Sequence, residues 1–203
     1  MRNPLHQGKM DGLCGIYALV NGISVLVQNR LSTNDLSILF KDLVRTLYKR
    51  NHRRKTKNGT PIEFIWEGTN VHDISLLLRT SRAFLAKRGL SLTWTRPLQG
   101  KWRPATLNQY WDRLRTCFQE CDGRCVAIID YNFDGIDGEE GHWTCVEKVT
   151  DRTMKLLDSS LSIHSPRGVI RKGACTLGEK TSKRPHRLFA HNVYLVQISS
   201  VEE

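Results

Sequence analysis

The sequence has no apolar run approaching the roughly 20 residues that a membrane-crossing helix needs. Its best candidate, Ile16 to Val27, is broken by Asn21, Gly22 and Ser24. Asp11 precedes that stretch and no small-residue cleavage pattern follows it, so it does not read as a secretory signal either. Cytoplasmic synthesis is the expectation, with delivery into another cell by a route without a classical signal peptide as the other. Acidic residues are scarce: 20 Asp and Glu stand against 31 Lys and Arg, a formal net charge of +11. That deficit favours acidic partners such as a negative protein face, nucleic acid or an anionic membrane, and it says little about fold. Internal repeats and low-complexity segments are absent. Six cysteines in 203 residues do not make a disulfide framework. Cys117, Cys121 and Cys125 are spaced C-x3-C-x3-C, which matches neither paired zinc motifs nor iron–sulfur patterns. Buried or half-buried thiols near a helix end are therefore expected there, and no metal or cofactor.

What remains is an ordinary globular mixture, 39% hydrophobic and 25% charged, in a chain long enough for one full core. A single domain over 1–203 is expected. Ile16, Leu19, Val20, Ile23 and Val27 form a helical stripe from Leu13 or Cys14 to about Gln28. Ser32 with Asp35 resembles a capping box opening a second helix, whose buried face is Leu36, Leu39, Phe40, Leu43, Val44 and Leu47. The run from Lys49 to Gly59 reads as a basic loop. A third helix follows Asn70 and ends near Arg88, where Gly89 suits a C-terminal cap. Leu90 to Thr95 alternates like a short strand, and Thr106 to Glu120 is a fourth helix. Then the period turns strand-like. Cys125 to Asp130 is continuously apolar up to its last residue, as for a strand buried on both faces. Gly141–Val149 and Thr153–Leu157 read as a hairpin, and Asn192–Ile198 closes the sheet. The class is α+β: a helical part, about 1–120, packed on an antiparallel sheet, about 121–203. Residues 159–187 carry the weakest pattern.

Three residues offer a chemistry in combination. Cys14 sits at the first turn of a helix, where the positive end of the macrodipole and free N–H groups stabilise a thiolate. Gly12 and Gly15 beside it leave room for a substrate carbonyl. His142 starts a strand after the glycine- and acid-rich stretch 134–141, a suitable place for a general base facing a cleft. Asp158 ends the next strand. If the two strands pair through Thr150–Arg152, its carboxylate comes to the strand end beside His142 and accepts the imidazole N–H. Taken singly, each residue also fits a plain structural role: a buried helix cysteine, a surface histidine, a turn-starting aspartate.

In order and spacing these residues resemble the papain-like cysteine peptidase superfamily, in which the nucleophile opens an N-terminal helix and His and Asn or Asp follow about 130–150 residues later. Here they follow by 128 and 144 residues. Cys-Gly-Ile-Tyr-Ala-Leu is most similar to the bacterial branch of bacteriocin-leader peptidases, with Asp in place of Asn. The local cysteine signature of papain itself is absent. The resemblance implies an active site in a cleft between the helical and sheet parts. It also implies an oxyanion hole from a glutamine upstream of the cysteine, which Gln7 matches at seven positions, about one more than usual. At motif level it covers residues 7–20 and 141–159.

The implied activity is acyl transfer by a Cys14–His142–Asp158 triad on a protein or peptide substrate, one with an acidic surface that the basic loop would dock. Trp143 would shield the His–Asp pair or serve as core. The same triad serves glutamine deamidases and transglutaminase-like enzymes, which attack a side-chain amide. The short stretch before Cys14 argues against a secreted zymogen with an N-terminal propeptide. A reading from another class is a basic nucleic-acid-binding module without catalysis, using the 49–57 cluster for phosphate contacts, although no helix-turn-helix or zinc finger accompanies it.

Overall fold

The computed structural model describes residues 12–53, 68–132, 141–157 and 168–200. Among them are four α-helices, α1 Cys14–Val27, α2 Thr33–Arg53, α3 Val71–Ala86 and α4 Leu107–Glu120. Seven strands accompany them: β1 Leu90–Thr95, β2 Cys125–Asn132, β3 His142–Val149, β4 Thr153–Leu157, β5 Val169–Arg171, β6 Cys175–Thr176 and β7 His186–Ser200. The class is α+β, with helices mainly in the N-terminal part and the sheet mainly in the C-terminal part.

The helices begin where side chains satisfy orphan N–H groups. Ser32 Oγ accepts the Asp35 N–H at 3.0 Å, and the Asp35 carboxylate accepts the Ser32 N–H at 3.0 Å. The same reciprocal box recurs with Asn70 and Asp73 at α3, and with Thr106 and Gln109 at α4. The expected basic loop needs correcting, because α2 continues through Lys49 to Arg53. The buried row Leu36, Leu39, Leu43, Leu47 carries the helix that far, and Lys and Arg are good helix formers. Arg50 on this extension pairs with Asp73 at the start of α3, both side chains largely buried. Arg50 is thus a strut between helices. The rest of that basic run, 54–59, lies outside the described residues.

The sheet order is β1-β7-β2-β3-β4-β5, antiparallel throughout, and β6 adds a short parallel pairing to β7. Strand alternation divides the core in two. Val126, Ile128, Trp143, Cys145 and Tyr194 meet α1, α2 and α3. Ala127, Ile129, Tyr131, Val146 and Leu195 meet Tyr110, Trp111, Leu114 and Phe118 of α4. Every residue of β2 is buried, as its unbroken apolar run requires. The two-part division at residue 120 is accordingly imperfect: α4 covers the opposite face from the other helices, and β1 joins the sheet from within the helical part. Among the described residues no helix is long and apolar enough to cross a membrane.

One close approach sets the geometry that follows. A Cβ on Gly22 would stand 3.0 Å from Val126 Cγ2 and 3.1 Å from Cys145 Sγ. The bare glycine lets α1 settle against β2 and β3, with its first turn near the start of β3.

A candidate thiol–imidazole site

Cys14 is the first residue of α1, and His142 the first of β3. The structure brings these two together: the imidazole hydrogen-bonds to the Cys14 sulfur. Burial pushes this thiol up. The hydrogen bond and charge of His142, the Trp143 backbone N–H and the Thr69 hydroxyl outweigh it, so the pKa is lowered from its ordinary value. Burial acts the same way on the thiols of Cys117, Cys125, Cys145 and Cys175 and there prevails, so all four are raised. Cys14 and His142 are only 5% and 6% exposed. Two cavities among the described residues, of about 820 Å³ and 450 Å³, are lined by other parts of the chain.

Two expected members, Gln7 and Asp158, lie outside the described residues. The hairpin meant to carry Asp158 forms as expected. Cys145 pairs with Leu157 and Val146 with Leu156, so β4 runs back toward the His142 end of β3.

Thr69 is a residue that sequence reasoning missed. Its Oγ1 accepts the Gly15 N–H at 3.1 Å and stands 3.8 Å from Cys14 Sγ. Its carbonyl accepts the Trp143 indole N–H at 2.6 Å. It precedes the Asn70 cap of α3, which fixes the backbone there. Gly15 meets this threonine closely, since a Cβ at 15 would overlap Thr69 Oγ1 and crowd Ile74 Cδ1 at 2.7 Å. Its bareness admits the threonine hydroxyl. The only available signal was position, a hydroxyl residue one step before a capping box. Trp143 is core, 1% exposed and tilted against Tyr194 with ring centroids 6.2 Å apart, and it also pins Thr69.

On β2, Asp130 is opposite Trp143 in register. Its Oδ2 accepts the Asn192 amide at 2.8 Å. Burial raises its pKa to about 6, against the opposing pull of Asn192 and of the charge of His142. Among the described residues no group of three or more His, Cys, Asp or Glu side chains is arranged to hold a metal ion.

Fold and site together define an α+β protein with a buried thiol of lowered pKa at a helix–sheet junction. A scan against protein-family models finds no match, and a comparison with curated proteins finds no similar sequence.

Proposed function

We propose that this protein is a papain-like cysteine hydrolase that cleaves an amide bond, the peptide bond of a protein substrate in the first instance. One observation carries the reading. Cys14, at a helix N-terminus and hydrogen-bonded to an imidazole, has a lowered pKa despite its burial. His142 takes the thiol proton, and the sulfur attacks the substrate carbonyl. The oxyanion is held by the Cys14 N–H and, by the resemblance of residues 7–20, by Gln7. The leaving amine receives the proton from His142, and water then hydrolyses the thioester. Asp158, on the resemblance of residues 141–159, accepts the other ring N–H and fixes the tautomer.

Intact-mass analysis after incubation with an electrophilic amide-mimicking warhead tests this without a known substrate. Wild type should gain one adduct and Cys14→Ala none; equal labelling of both refutes the assignment. With candidate protein substrates, peptide cleavage releases fragments. A glutamine deamidase acting through the same triad leaves the chain intact with an amide exchanged for an acid.

One feature favours the second reading, a basic module binding nucleic acid. The 820 Å³ cavity is lined by Arg152, Arg171, Lys172, Lys183 and Arg184, and Asp151 in its wall already pairs with Arg115. Tight binding that collapses with added salt, without selective labelling of Cys14, would support that reading over the enzyme.

A further inference from the structure

Asp130 is an expensive residue where it stands. It is 8% exposed, its Oδ2 has Asn192 as donor, and its Oδ1 has no hydrogen-bond partner among the described residues. Burying a charged carboxylate with one oxygen lacking a donor costs more free energy than burying a neutral side chain of similar size. The carboxylate also shapes its neighbour: a Cβ on residue 141 would overlap Oδ1, so the residue just before His142 has to be Gly141. Strand β2 thus presses a negative charge against the backbone that delivers the imidazole.

We infer that Asp130 is a positioning residue for the Cys14–His142 pair, its ionised carboxylate acting through space to favour the protonated imidazole and, with it, the thiolate. The inference rests on the functional reading above. The proton that His142 gains is the one Cys14 loses, and no other reactant is needed. A carboxylate hydrogen-bonded to the ring would orient it; Asp130, with charge alone, shifts where the proton resides. The described groups facing Asp130 are His142 from β3, Asn192 from β7 and Tyr110 from α4. The Tyr110 phenol is pushed up by burial first, then by the charges of Cys175 and Asp130. Since the Asp130 carboxyl titrates at about 6, the support grows as pH rises through that value and fades below it.

The test is the pH profile of Cys14 alkylation by iodoacetamide, read by peptide mass spectrometry on the full chain. Asp130→Asn should slow alkylation at pH 7 by about tenfold, the equivalent of one pKa unit in the pair. Asn192→Ala is the companion variant. Without its donor the carboxylate stays protonated to higher pH, so alkylation should lag at pH 6.5 and recover by pH 8. Profiles superimposable on wild type for Asp130→Asn overturn the inference. Should that variant not fold, an Asn192→Ala deficit that is absent or the same at every pH does so. Failure of the functional reading looks different: wild-type Cys14 would react no faster than in His142→Ala, whatever residue 130 is.

Discussion

Two helix ends in this molecule carry cysteines, and they treat sulfur in opposite ways. Cys14 occupies the first turn of α1; Cys117 is in the last turn of α4, Cys121 is its cap, and Cys125 begins β2. The α1 end offers the positive pole of the macrodipole, an imidazole and the N–H of Trp143. The α4 end offers the negative pole. Burial and then Cys121 push Cys125 up, and burial pushes Cys117 up beyond what Arg113 restores. Gln197 donates to Cys121 Sγ at 3.1 Å, using that sulfur as a structural acceptor. Low exposure is common to Cys14, Cys117 and Cys125, so it does not decide which way a thiol pKa moves. The donors and dipole at each helix end do.

The largest expected effect breaks or sharpens that contrast directly. At pH 6.5, iodoacetamide should label Cys14 about 100-fold faster than any of Cys117, Cys125, Cys145 or Cys175, because the thiolate is favoured at Cys14 and disfavoured by burial at the other four. The ratio should narrow toward pH 9, where the gain at Cys14 levels off while the small thiolate fractions of the raised thiols still climb with pH. Uniform labelling across the pH range would erase the distinction between the two helix ends.

Next in size is the stability effect of Asp130. Its pKa of about 6 lies above the ordinary carboxylate value, so the folded chain keeps a proton that the unfolded chain has lost. Stability therefore falls as pH rises from about 4 to 6, by at most roughly 3 kcal/mol. Asp130→Asn removes that slope. Urea melts at pH 4 and pH 7 should show the variant gaining on wild type at the higher pH, and parallel curves would sink the claim. With the alkylation test, this separates an effect on folding from one on the thiol.

The local chemistry of the helices was legible because each capping signal lies within four residues. Ser32 with Asp35 and Asn70 before α3 mark the observed starts, and Leu90–Thr95 forms with the expected bounds. The end of α2 was not legible. Lys49, Arg50 and Arg53 read as solvated loop, whereas the ion pair that holds Arg50 in a helix comes from Asp73, 23 residues away. The far-face position of α4 was hidden for a similar reason: an amphipathic stripe says which residues are buried but not which side of a sheet covers them. In the site, Cys14 and His142 were found by their places at element starts. Thr69 and Asp130 escaped because what marks them is a hydrogen bond to Gly15, 54 positions away, and a charge interaction with His142, 12 positions away. Neither carries a local pattern.

A smaller effect is expected at Gly15. Gly15→Ala places a methyl where Thr69 Oγ1 and Ile74 Cδ1 now stand, and crowding in a packed core costs about 1–3 kcal/mol. Because the displaced hydroxyl also touches the thiol, Cys14 labelling should slow in the same variant. Stability lost with labelling unchanged would make Thr69 a packing residue alone.

The smallest effect tests whether the site reaches back to a helix cap. Asn70 Oδ1 accepts the N–H groups of His72 at 2.9 Å and Asp73 at 3.1 Å, and Asp73 returns a bond to the Asn70 N–H at 3.0 Å. Asn70→Ala leaves those donors to water and should cost about 1 kcal/mol in a denaturant melt. Thr69 is one residue upstream, held otherwise by the Trp143 indole and the Gly15 N–H. If the cap matters only to α3, Cys14 alkylation stays at its wild-type rate. If it helps aim the hydroxyl at the sulfur, the rate drops by a few-fold, and Asn70→Ser, which restores a capping oxygen, brings it back. Rescue of stability without rescue of the rate would detach Thr69 from the chemistry, leaving the difference between the two helix ends to the imidazole and the dipole.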